Sequence, residues 1–189
     1  MRAAAGCHSD GREMNAEQAP DWREQIFEVL RAHDIRQAYH VPDAGHARLI
    51  AACQNSGTIR TVALTTEEEG VALAAGAWLG GQRSVLLMQS SGVGNTVNMM
   101  GLTKTLRLPF LTLITMRGEW GEFNSWQYPM GRGTSAVLEA MGLLIYSVET
   151  TADVRATVDA AARAAYNGGQ AVAVLLRQKL IGTKHFGKE

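Results

Sequence analysis

The sequence predicts an α/β fold: a doubly wound, six-stranded, mostly parallel sheet with helices on both faces. Three observations lead there. From Asp21 onward, strand-like and helix-like segments alternate along the chain. The strand segments are apolar on both faces, as strands covered by helices on each side are. The 189 residues fit one compact domain, and a hydrophobic content of 46% is too high for a disordered chain.

Residues 1–20 are small, polar and charged without period, and are expected to form a flexible tail. One domain is expected over 21–182, with 183–189 as a C-terminal tail. Asp21 is placed to cap a helix carrying Ile26, Phe27, Val29 and Leu30 on its apolar side. Residues 37–41 read as a short strand, which Pro42 and Asp43 break, opening a helix through Leu49, Ile50 and Cys53. A β-branched strand follows at 58–64, then an Ala-rich helix at 66–79 that ends at Gly80 and Gly81. Residues 84–89 read as a buried strand, 95–106 as a helix and 109–116 as the most continuous apolar strand. A loop containing Gly and Trp fills 117–133. A helix at 134–141, a strand at 144–148, a helix at 152–166 and a strand at 171–176 complete the chain.

Composition removes several function classes. Eighteen Lys and Arg balance eighteen Asp and Glu, so no basic excess is present to neutralise nucleic-acid phosphates. Zero net charge also leaves little repulsion between copies, which favours association. The most apolar stretches, 71–79 and 108–116, fall far short of the ~18–20 residues of a membrane span. The first residues contain no apolar core of signal-peptide type. Cys7 and Cys53 form neither a CxxC nor a cluster with His, so a disulfide framework or structural zinc is not expected, and a cytoplasmic location is. Cys53 reads as a small buried hydrophobe.

In parallel sheets ligands bind beyond the carboxyl ends of the strands, which here selects 42–46, 65–69, 90–95 and 117–133. The segment Ser90-Ser91-Gly92-Val93-Gly94-Asn95 joins a strand to a helix, where backbone N–H groups can hold an anion. It lacks the GK[ST] of a Walker loop and the third Gly of a dinucleotide fingerprint, and a tight turn needing positive φ is the simpler reading. In Thr65-Thr66-Glu67-Glu68-Glu69-Gly70, either Thr65 with Glu68 or Thr66 with Glu69 fits a capping box. Yet Glu67 also begins the apolar face of Val71, Ala74, Ala75 and Trp78. A carboxylate there is poorly solvated, which suits proton sharing near neutral pH, although on spacing alone capping is the simpler reading. In the 117–133 loop, Trp120 and Trp126 suit an interface or lid, the alternative being a solvated loop with one Trp in the core. Arg117 and Arg132 flank that loop and could bind an anionic group. His40 and His46 bracket the Pro42-Asp43 turn and read as packed or solvated residues rather than ligands.

Together these segments are more specific than any one of them. Val41-Pro42-Asp43, Thr66-Glu67-Glu68-Glu69-Gly70 with Gly76 nine positions beyond Glu67, Gln89 through Asn95, and Arg117-Gly118-Glu119 resemble the pyrimidine-binding (Pyr) domain of thiamine-diphosphate decarboxylases. The resemblance runs over residues 22–180 and, within that family, to the α subunit of sulfopyruvate decarboxylase and the matching half of phosphonopyruvate decarboxylase. It implies a 2-oxo-acid decarboxylase using thiamine diphosphate. The implied catalytic residue is Glu67, with Glu68 as fallback, hydrogen-bonded to the pyrimidine ring of the cofactor. Ser91, Gly92, Val93, Gly94 and Asn95 are implied near that ring, and Asp43 near the reacting substrate; Arg117, Gln127 and Arg132 are further substrate-side candidates.

In this family a second domain holds the diphosphate through magnesium with a GDG segment, and no GDG occurs in this sequence. The resemblance therefore implies a separate β subunit carrying that diphosphate-binding (PP) domain and its Mg2+ ligands, in a homo- and hetero-oligomer, with no metal ligand from this chain. The family's decarboxylases carry an acidic-Pro-Gln-His run after Arg-Gly-Glu. Here Gln127 stands but Tyr128 replaces His, and a neutral Tyr cannot carry a proton at pH 7 as His can. With two Trp nearby, this allows a 2-oxo acid less polar than one bearing a sulfonate or phosphonate. A non-catalytic Pyr-like binding or regulatory protein is the alternative, and a generic nucleotide-binding domain a third reading.

Overall fold

The computed structural model describes residues 21–183, so the expected tails lie outside the described residues except for Thr183. Six strands, β1 (Ile35–His40), β2 (Arg60–Ala63), β3 (Arg83–Gln89), β4 (Phe110–Thr115), β5 (Leu144–Val148) and β6 (Ala171–Leu176), form one sheet in the order β2-β1-β3-β4-β6-β5. All of its pairings are parallel, where a mostly parallel sheet was expected. Side-chain alternation along each strand then divides the core into two layers. Val85, Leu87, Leu111, Leu113, Val172 and Val174 face one way; Leu86, Met88, Phe110, Ile114, Ala173 and Leu175 face the other.

The first layer is closed by α1 (Trp22–Ala32), α2 (Ala47–Asn55) and α7 (Val154–Tyr166), through residues such as Ile26, Leu30, Leu49 and Val158. The second is closed by α3 (Glu67–Leu79), α4 (Ser90–Thr96), α5 (Gly101–Thr105) and α6 (Tyr128–Ala140), through Val71, Ala74, Val93 and Leu138. A last short helix, α8 (Gln178–Ile181), follows the final strand and was not expected. The Asp21 carboxylate caps α1 by accepting the Arg23 N–H at 2.9 Å. Cys53 is fully buried in the first layer, and burial pushes its thiol up to about 12, so it is a packing residue.

Three boundaries differ from expectation by more than two residues. The α2 helix starts at Ala47 rather than at Pro42-Asp43, so Pro42–Gly45 forms an open turn at the carboxyl end of β1. In place of the helix expected over 95–106, α4 starts five residues earlier and ends at Thr96, and the short α5 follows after a turn over 97–100. Between them, the Gly101, Leu102 and Thr103 N–H groups bond carbonyls three residues back, and the Thr96 and Thr103 hydroxyls donate to the carbonyls of Val93 and Met100. Such local bonds compete with the regular helical ladder. Finally, α6 begins at Tyr128, six residues before the expected start, after a 3-10 turn at Ser125–Gln127.

Candidate active site

Glu67 is the first residue of α3 and is buried, with 8% of its surface exposed. It shares its face with Gly70, Val71, Ala74 and Ala77, while Ala75 and Trp78 are only half-buried. Glu68 and Glu69 point to solvent, which removes Glu68 as the alternative. Neither expected capping box forms: Glu69 accepts the N–H of Thr65, one residue before the N-cap Thr66, at 2.9 Å, and the Thr66 side chain makes no cap bond. Carboxylates in the first turn are further favoured by the helix dipole.

The segment after β3 meets Glu67 directly. Asn95 Nδ2 donates to Glu67 Oε2 at 2.8 Å. A methyl group built on Gly92 would lie 2.3 Å from Glu67 Oε1 and 2.5 Å from its carboxyl carbon. Only glycine lets the backbone here come this close to the Glu67 side chain. The tight turn expected at Gly92 and Gly94 is instead the start of α4, and neither glycine has positive φ; steric clearance, not backbone conformation, explains Gly92. Gly94 sits beside Met130, whose Sδ would be 3.6 Å from an added methyl, an ordinary contact. Val93 is fully buried and anchors the segment in the core. Ser91 Oγ donates to Gln89 Oε1 at 2.9 Å.

Asp43 lies in the turn after β1 and is half-buried. Its Oδ1 accepts Gln89 Nε2 at 3.0 Å and its Oδ2 accepts Thr115 Oγ1 at 2.8 Å. Burial alone would push this carboxyl up. The Thr115 hydroxyl, the nearby His46, the Gly45 N–H and the Gln89 amide together hold it below its ordinary value. Gly45 permits this curl, since a methyl there would lie 2.8 Å from both Asp43 Oδ2 and Thr115 Cγ2.

His46 is fully buried, with Nε2 3.1 Å from the Leu113 carbonyl and 3.3 Å from the Met88 carbonyl. Burial lowers the affinity of both His46 and His40 for a second proton.

The loop after β4 is organised by a residue the sequence reading missed. Glu122, with a fully shielded side chain, takes Arg117 Nε at 2.6 Å and Nη2 at 2.8 Å. It also accepts the N–H groups of Gly118, Phe123 and Asn124 and the Gln178 amide. The Arg117 guanidinium, first of these partners, holds the Glu122 carboxyl well below the usual carboxylate range. Glu119 is bound in turn by Arg177 Nη1 at 2.7 Å and the Gln178 N–H at 3.0 Å. The fork of Arg117 expected to meet a substrate anion is thus filled by Glu122. An Arg and a Glu five residues apart in a glycine-rich loop beyond a strand was the available signal.

Gln127 is half-buried, and its Oε1 is shielded without a protein partner. Tyr128 Oη donates to the Glu122 carbonyl at 2.6 Å, and the exposed Arg132 rests its guanidinium 5.9 Å from the Tyr128 ring. No Trp of this loop is tucked into the core. Trp120 and Trp126 are 66% and 81% exposed, and Phe123 beside them is 48% exposed. The structure therefore brings Glu67, Gly92 and Asn95 into contact, links Ser91 to Asp43 through Gln89, and engages Arg117 elsewhere. Among the described residues, no group of three or more His, Cys, Asp or Glu is placed to hold a metal ion, and no helix is long and apolar enough to cross a membrane.

Comparison with known proteins gives this geometry a family. Residues 21–121 match the family model described as thiamine pyrophosphate enzyme, N-terminal TPP binding domain. The chain is 32% identical over 154 residues to sulfopyruvate decarboxylase subunit alpha of Methanococcus maripaludis, covering 81% of this chain and 92% of that protein. It is 31% identical over 157 residues to the subunit of the same name from Methanothermobacter thermautotrophicus, covering 82% and 95%. Phosphonopyruvate decarboxylase of Streptomyces viridochromogenes is 37% identical over 107 residues, which are 56% of this chain and 27% of that one. Among solved structures, 2-oxoglutarate:ferredoxin oxidoreductase from Magnetococcus marinus shares the fold, with a TM-score of 0.68 and 17% identity over 86% of this chain and 29% of that chain. The buried glutamate, the glycine against it and the family match place this chain in the thiamine pyrophosphate enzyme family, as a TPP-binding domain of the N-terminal type.

Proposed function

We propose that this chain is the pyrimidine-binding subunit of a thiamine-diphosphate-dependent 2-oxo-acid decarboxylase of the sulfopyruvate and phosphonopyruvate decarboxylase kind. The observation that carries the reading is Glu67: a carboxylate buried at the start of a helix, held by Asn95 and faced by a glycine that keeps the space around it clear. That donor set fits an aminopyrimidine. Glu67 is positioned to share a proton with a ring nitrogen, Asn95 fixes its carboxylate, and Ser91, Gly92, Val93 and Gly94 form the adjoining wall. When bound, the cofactor supplies the electron sink for loss of carbon dioxide.

Asp43, Gln127 and Arg132 are assigned to the substrate side. Asp43 holds a negative charge at the carboxyl end of β1, and the shielded Gln127 Oε1 is an acceptor in want of a donor. Arg117 shapes the loop through Glu122 and is not assigned to substrate.

The diphosphate and its Mg2+ are assigned to a partner chain carrying the PP domain, in a cytoplasmic hetero-oligomer. Support for a partner comes from α3. Leu73 and Leu79 on it are 41% and 75% exposed, and Leu106 just after α5 is 52% exposed. Among the described residues, α1, α2 and α7 expose no large hydrophobic side chain of this kind. The apolar exposure of the helices is thus gathered on the layer that begins with Glu67.

Co-expression with a chain bearing a GDG segment, then calorimetry with thiamine diphosphate and Mg2+ and an assay of carbon dioxide release over a panel of 2-oxo acids, tests this reading. Binding and turnover by the complex are expected. A complex that binds the cofactor yet releases no carbon dioxide from any 2-oxo acid would favour the non-catalytic reading. Gly92→Ala carries a separate expectation: its methyl group overlaps the Glu67 carboxylate, so cofactor affinity falls about 10-fold or more.

A further inference from the structure

Gln89 ends β3 and is given no role above, yet its amide lies between two groups of opposite demand. Nε2 donates to Asp43 Oδ1 at 3.0 Å, and Oε1 accepts from Ser91 Oγ at 2.9 Å. A carboxylate could not donate to Asp43, and an apolar side chain could do neither; an amide does both in one orientation. Gln89 is the register partner of Thr115 on β4, so both side chains leave the sheet on the same face, and both reach Asp43. An unbroken run of hydrogen bonds, Thr115 to Asp43 to Gln89 to Ser91, therefore crosses the carboxyl end of the sheet. Ser91 is followed by Gly92, which abuts Glu67.

We propose that Gln89 is a positioning residue that orients the Asp43 carboxylate and holds it in fixed register with the segment facing Glu67. The inference rests on Asp43 being a substrate-side carboxylate, as read above. The other charged and titratable groups around Asp43 are His46 at the start of α2, Arg117 beyond β4, and His40, which acts on His46. All three stay in place in the variants below, so a difference between variants reports the Gln89 bond.

The test is carboxyl-carbon NMR of the full chain labelled at aspartate, with Asp43→Asn giving the assignment. In wild type, Asp43 is expected to titrate below the ordinary aspartate value of ~3.9. Gln89→Met and Thr115→Val each remove one donor and are expected to raise the midpoint by roughly one pH unit. Gln89→Glu keeps the acceptor for Ser91, sets a second carboxylate against Asp43 and is expected to raise it further, so it decides the matter where Gln89→Met fails to fold. In the active complex, kcat of Gln89→Met is expected to fall about tenfold, with its acidic limb moved to higher pH. Unmoved midpoints in Gln89→Met and Gln89→Glu overturn the proposal even where cofactor binding is intact. Loss of any dependence on Glu67 overturns the decarboxylase reading instead, and leaves the NMR comparison to decide Gln89.

Discussion

Glu67→Gln is expected to lower turnover of the reconstituted complex by about 10²–10⁴-fold, the range for removing a positioned acid–base group. The substitution keeps the shape of the side chain, and the amide oxygen can still accept from Asn95 Nδ2. What it loses is the carboxylate proposed above to share a proton with the cofactor. The cost in stability should be small, because one charge at a helix N-terminus contributes only about 0.3–1 kcal/mol. A melting temperature within a few degrees of wild type, together with lost carbon dioxide release, is therefore the expected pair of results. Glu68→Gln is the control: its side chain points to solvent, and turnover should not change. Full activity in Glu67→Gln would sink the catalytic assignment.

Glu122→Ala is expected to destabilise the chain by about 3–5 kcal/mol in urea unfolding, as breaking a buried ion pair does. The change strands the Arg117 guanidinium, whose side chain is only 11% exposed, and leaves the Gly118, Phe123 and Asn124 N–H groups without their acceptor. The loop that carries Trp120 and Trp126 is then free to rearrange. Removing both charges together, as in Arg117→Met with Glu122→Leu, should restore part of the loss, because no buried charge remains unpaired. The pH dependence follows from the lowered carboxyl of Glu122. Its stabilisation is fully present above the unfolded glutamate value of ~4.3 and is lost as pH falls through the folded value. The wild-type chain should thus lose stability as pH falls from about 4.3 toward the folded value, and Glu122→Ala less so. A loss under about 1 kcal/mol would show that the pair does not hold the loop.

The fold was legible because strand and helix periods differ, and because strands buried on both sides leave long apolar runs such as Leu111 to Ile114. The burial of Glu67 was legible in its spacing to Val71 and Ala74, but that spacing fitted a helix cap as well, and only the family resemblance singled the residue out. The Gly92 contact was not legible, because a glycine tolerates close approach and positive φ alike, and the sequence does not distinguish them. Glu122 was hidden for another reason. Its partners, from Arg117 to Gln178, converge only when the loop after β4 meets the end of β6, and no local period encodes that meeting. The early start of α6 was masked by Gly131 and Gly133, which lower helix propensity. Yet Gly131 is needed there, since a methyl would lie 2.4 Å from the Arg117 carbonyl.

The exposed loop aromatics also give the molecule a built-in optical signal. Trp22 is buried and Trp78 half-buried, whereas Trp120 and Trp126 stand in water on a loop clamped by Glu122. Two of the four indoles should therefore emit at the red edge of the tryptophan range and be open to quenching by iodide. Anything that covers the loop, whether another subunit or an apolar substrate side chain, should shift that emission to the blue and protect it from the quencher. Because the clamp fixes the loop's own shape, the spectral change would report occupancy rather than folding, and docking can be followed in real time without a label.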